Sequence, residues 1–117
     1  MARVLIVDDE PQIRTLLSMS LRMVGYDVTA AGDGFEAMAL CSAENFDAIL
    51  TDIDMPGMNG HQLVQWVAGN RPMTRYALMS GLGPAYEGLP VTRPLLFLHK
   101  PFFPKEAVAL IDQMLNV

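Results

Sequence analysis

The chain is predicted to fold as an α/β protein, with a parallel sheet covered by helices on both faces. Three observations predict this class. Short apolar runs alternate along the chain with segments of helical periodicity. The strongest runs, "RVLIV" (3–7) and "DAILT" (47–51), are apolar through their middles, as strands buried on both faces are. The strong polar residues fall at the carboxyl ends of these runs: Asp8 and Asp9 after the first, Asp52 after the third, Ser80 after the fourth and Lys100 after the fifth. In an open parallel sheet those ends share one edge, and ligands bind there.

Each element has its own signal. "RVLIV" is rich in Val and Ile and reads as the first strand. Pro11 suits the first turn of a helix; Ile13, Leu16, Leu17, Leu21 and Val24 recur at helical spacing, and Gly25 stops them. "DVTA" (27–30) is a weaker second strand. In "GDGFEAMALCSAE", Ala37, Leu40 and Cys41 make one short apolar helix face. "DAILT" is the third strand, and Leu63, Trp66 and Val67 mark a helix that closes near Gly69 and Asn70. "YALMS" (76–80) and "LLFL" (95–98) are the fourth and fifth strands. Ala107, Leu110, Ile111, Met114 and Leu115 define a last helix.

A length of 117 residues at 51% hydrophobic content predicts one globular domain over 1–117. No apolar run approaches the roughly 18 residues of a membrane span, and the acids after "ARVLIV" are unlike a signal peptide, so a cytoplasmic, membrane-free protein is expected. The single cysteine, Cys41, excludes an internal disulfide or a multi-cysteine zinc site. A formal charge of −5 disfavours direct binding to nucleic acid.

With the motifs "VDDE" (7–10), "TDIDMPGMNG" (51–60), "LMSG" (78–81) and "HKPF" (99–102) in this order, the chain resembles the receiver domain of two-component response regulators, the CheY-like superfamily. The likeness covers essentially the whole chain. It implies a flavodoxin-like three-layer α/β/α sandwich whose five strands run in the order 2-1-3-4-5, an order known for this superfamily. Strands one and three are then neighbours, which brings Asp8, Asp9 and Asp52 into one pocket.

Carboxylates about 5 Å apart repel by on the order of 3 kcal/mol per pair at an effective dielectric near 20. Protons or a hard cation must offset this, and Mg²⁺ (or Mn²⁺) suits oxygen ligands where phosphate is also bound. The resemblance implies Asp9 and Asp52 as direct ligands, Asp8 through water, and the backbone carbonyl of Asp54. It also implies Asp52 as phosphoacceptor, Lys100 and Ser80 as partners of phosphoryl oxygens, and a cis bond before Pro101. The implied donor is a phosphohistidine on a sensor histidine kinase or phosphotransfer protein, or a small acyl phosphate. The chain would catalyse its own phosphorylation and dephosphorylation without being an enzyme in the turnover sense.

The resemblance further implies a switch. Ser80 moves toward the phosphoryl group, and Phe97, where most relatives carry Tyr, changes between outward and inward rotamers. The family's fourth helix falls on "LGPAYEGLPVTRP" (82–94), where Gly83, Pro84, Gly88, Pro90 and Pro94 oppose it. That helix is expected to be short, irregular or missing, and the partner face to be rebuilt, with a homodimer among the outcomes. Asp54, two residues past the acceptor, is expected to influence phosphoryl lifetime or to be a surface acid. His61 and His99 are expected to be solvated. Two other functions fit parts of the sequence: a pseudo-receiver that binds partners without phosphorylation, and a haloacid-dehalogenase-like phosphatase using the Asp52-Ile53-Asp54 pattern.

Overall fold

A computed structural model describes residues 2–81 and 96–116. The elements run β1 (Arg3–Val7), α1 (Pro11–Met23), β2 (Asp27–Ala31), α2 (Gly34–Ala43), β3 (Ala48–Asp52), α3 (Gly60–Asn70), β4 (Arg75–Ser80), β5 (Leu96–His99) and α4 (Pro104–Leu115). All strand pairs are parallel, in the order β2-β1-β3-β4-β5. This is the flavodoxin-like sheet that the resemblance implied. The expected irregularity of 82–94 lies outside the described residues.

Two buried clusters explain the uninterrupted apolar strands. Successive side chains point to opposite faces. Leu5, Val7, Ile49 and Leu78 therefore pack with Ala37 and Cys41 of α2 and Leu63, Val64 and Val67 of α3. Val4, Ile6, Leu50 and Met79 pack on the other face with Leu17 and Leu21 of α1 and Ile111 and Met114 of α4.

The helix ends follow local chemistry. Pro11 opens α1, and Gly25, at φ 100°, lies just beyond its end. Asp33 caps α2 by accepting from the Glu36 N–H at 2.7 Å. Asn59 and Gln62 form a reciprocal capping box on α3. One detail of α1 differs from expectation. Leu17, Ser18 and Leu21 are its buried residues, whereas Leu16 and Val24 are exposed. The helix turns a narrower apolar stripe inward than its periodicity suggests.

Sheet register positions the functional edge. Val7 pairs with Thr51, so the residues that follow them, Asp8 and Asp52, emerge side by side. Asp52 pairs with Met79, and Ser80 with His99, so Ser80 follows one step and Lys100 two steps further along the same edge.

Candidate functional site

Lys100 organises the site. It continues the sheet by donating its backbone N–H to the Ser80 carbonyl at 2.9 Å. The bond to Pro101 is cis, as the resemblance implied. Its Nζ lies 2.8 Å from Asp8 Oδ2, 3.4 Å from Asp52 Oδ1 and 3.8 Å from Glu10 Oε1. Asp8 is fully buried and Asp52 nearly so. One ammonium group thus bridges two buried carboxylates that, among the described residues, have no other cationic side chain in an ion pair.

Each acid is held differently. The second oxygen of Asp8 accepts from the Glu10 N–H at 2.9 Å, while the Asp8 carbonyl accepts from the Arg14 guanidinium at 2.8 Å. Asp52 is fixed from behind by α3. A Cβ built on Gly60 would lie 2.4 Å from the Asp52 carbonyl oxygen, so only glycine admits this approach of helix to strand. The Asp54 backbone favours the charged form of the Asp52 carboxylate, and Asp54 Oδ2 accepts from Ser80 Oγ at 2.9 Å.

The electrostatics follow from burial. Asp52 is pushed up to about 6, first by desolvation and then by the charge of Asp8; Lys100 and the Asp54 backbone offset only part of this. Lys100 ends above its ordinary value. Burial works to lower it, but the bond and charge of Asp8, followed by those of Asp52, outweigh that loss.

Asp9, Glu10, Asp52, Asp54, Gly81 and Lys100 line an open hollow of about 400 Å³ at this edge. Asp8, Asp9 and Glu10 each offer a carboxylate oxygen within 4.8 Å of the others. An all-oxygen donor set of this charge fits Mg²⁺ or Mn²⁺, which are hard cations. The expected ligand Asp52 stands across Lys100 from Asp8, at the same hollow. Glu10 is a member that sequence reasoning missed. It directly precedes Pro11 at the start of α1, where an acid reads as a helix cap, yet its side chain makes no capping bond.

The remaining candidates lie around this centre. Phe97 is half-buried, packs against the α2/α3 cluster and meets the His99 ring edge-on at 4.6 Å. His99 is exposed, as expected. His61 is not fully solvated: its Nε2 is buried and has no hydrogen-bond partner among the described residues. Neither histidine belongs to the carboxylate group.

An open parallel sheet with an acidic hollow and the Lys100 ammonium at its carboxyl edge defines a doubly wound α/β domain with its ligand site at that edge. Comparison with known proteins narrows the class. The family model "Response regulator receiver domain" matches residues 4–112. The chain is 36% identical over 116 residues to the "Probable transcriptional regulator ycf27" of Guillardia theta, covering 97% of this chain and 45% of that protein. Its fold matches the chemotaxis protein CheY4 of Vibrio cholerae with a TM-score of 0.88 at 30% identity, over 98% of this chain and 99% of that one. A CheY-like receiver domain from Methanospirillum hungatei matches with a TM-score of 0.89 at 26% identity, over 99% and 94% of the two chains. The chain belongs to the response regulator receiver family. It spans about half the length of the curated ycf27 relatives it matches. The family match supports the receiver reading over both the pseudo-receiver and the phosphatase alternatives.

Proposed function

We propose that this domain accepts a phosphoryl group on Asp52 and passes the event on as a change of shape. The observation that carries the proposal is the ammonium of Lys100, seated between Asp8 and Asp52 at the mouth of an open hollow. A carboxylate oxygen of Asp52 attacks phosphorus. The P–N bond of a phosphohistidine, or the P–O bond of a small acyl phosphate, breaks as the Asp52 O–P bond forms. The leaving imidazole or carboxylate departs with the bonding electrons, the imidazole taking up a proton. Lys100 pairs with an oxygen of the transferred group, and Ser80 donates its hydroxyl to another. A divalent cation, Mg²⁺ by family habit, would be held by Asp8, Asp9 and Asp52 with the Asp54 carbonyl, Glu10 adding charge at the rim, and would neutralise charge on the phosphoryl oxygens.

The domain turns over no separate substrate in this reading, and water later hydrolyses the acyl phosphate in the same site. The partner that supplies phosphate is a sensor histidine kinase or a phosphotransfer protein in the cytoplasm. Ser80 and Phe97 convert the new charge into movement that a partner, an output segment or a second copy reads. Nucleic acid is not a direct partner in this reading, given the formal charge of −5; among the described residues no helix is long and apolar enough to cross a membrane.

Incubation with acetyl phosphate and Mg²⁺, followed by intact mass measurement, tests the proposal. Wild type should gain one phosphoryl group and Asp52→Asn none. An adduct on both proteins, or on neither, would overturn the assignment.

A further inference from the structure

A serine hydroxyl carries a single proton to donate. Ser80 gives that proton to the Asp54 carboxylate, across 2.9 Å. Ser80 is almost completely buried, whereas Asp54 is exposed and lines the hollow beside Asp52. Asp54 thus stands at both functional groups: it shares the hollow with Asp52, and its side chain holds the serine.

We propose that Asp54 is a positioning residue that competes with phosphoryl oxygens for the Ser80 proton, and so sets how readily phosphorylation moves the end of β4. The inference rests on the reading of Asp52 as acceptor. A phosphoryl oxygen on Asp52 can engage Ser80 only when the bond to Asp54 is given up. That bond is charge-assisted and stronger than a neutral one. The Ser80 carbonyl accepts the Lys100 N–H, and the neighbouring Met79 carbonyl accepts the Ile53 N–H at 3.0 Å. Reorientation of Ser80 therefore pulls on both the lysine and the β3–α3 loop. Asp54 acts as a latch whose release couples the new charge to the sheet edge.

The test is a double-mutant cycle on the full chain, using beryllium fluoride with Mg²⁺ as the phosphoryl stand-in and backbone amide NMR shifts of residues 78–81 as the readout. Asp54→Ala should tighten apparent beryllium fluoride binding about fivefold to tenfold. Asp54→Asn, which keeps an acceptor oxygen but sheds the charge, should give an intermediate gain. Removing an acid beside an anion also tightens binding by simple electrostatics, so the decisive arm is Ser80→Ala. In that background the Asp54→Ala gain should fall below about twofold, because the competed proton is gone. The amide spectra themselves report that each variant is folded. An equal gain in both backgrounds, or no gain in either, would overturn the role of Asp54 while leaving Asp52 as acceptor. Failure of the wild type both to bind beryllium fluoride and to gain a phosphoryl group would instead remove the acceptor reading, and this inference with it.

Discussion

Asp52→Asn is expected to stabilise the metal-free protein at neutral pH. Asp52 titrates at about 6 in the fold against an ordinary value of 3.8, with burial the first cause and Asp8 the second. The folded protein holds this proton more tightly than the unfolded chain does. Stability from this group therefore falls as pH rises from about 4 to about 6, and the whole cost is present above that window. At about 1.4 kcal/mol per pH unit, the charged form costs up to about 3 kcal/mol at pH 8. Asparagine has the shape of the neutral acid and escapes this cost. Urea unfolding with a chelator present should show Asp52→Asn more stable by up to about 3 kcal/mol at pH 8, equivalent to roughly 10 °C in Tm for a domain of this size. The gap should close as pH falls through 6 and vanish near pH 4. Adding Mg²⁺ should narrow the gap at pH 8, because a ligand that binds the folded wild type more tightly than the variant stabilises it more. The reasoning fails if wild type is the more stable protein at pH 8 without metal, or if the gap widens on acidification.

Three further substitutions test the frame around this charge. Lys100→Ala leaves fully buried Asp8 without its ammonium partner at 2.8 Å, and should cost about 3 kcal/mol at pH 7 in denaturant unfolding, with the acetyl phosphate adduct reduced at least about tenfold. Gly60→Ala places a methyl 2.4 Å from the Asp52 carbonyl oxygen; forcing β3 and α3 apart should cost about 2–3 kcal/mol and slow adduct formation in the mass assay. Asn59→Ala removes the capping side chain that accepts from the Gln62 N–H at 2.9 Å, and should lower stability by about 1 kcal/mol while leaving the adduct yield unchanged.

The legible parts of this molecule are those that local chemistry decides. A strand buried on both faces must be apolar at consecutive positions, so β1 and β3 announce themselves, and their carboxyl ends locate Asp8 and Asp52. Pro11 bounds α1 because its ring fixes a helical φ, and Gly25 because, without a Cβ, it admits the positive φ of 100° that ends the helix. The missed features depend on where distant elements meet. Leu16 sits at helical spacing with Leu17 and Leu21, yet it is 42% exposed, because α1 buries only its stripe of Leu17, Ser18 and Leu21. Glu10 occupies a capping position by sequence, but its carboxylate instead stands 3.8 Å from Lys100, ninety residues away in the chain. The bond from Ser80 to Asp54 joins the last residue of β4 to the loop after β3 and requires the register of β3 against β4 together with both rotamers. Residue types and order along the chain are sufficient to bring the acids and the lysine to one edge. Which acid the lysine pairs with, and which acid holds the serine, are decided by distances of a few tenths of an ångström across the sheet. If Asp52 is the acceptor as proposed, contacts such as Ser80–Asp54, where one serine proton has more than one acceptor within reach, are where its response would be tuned.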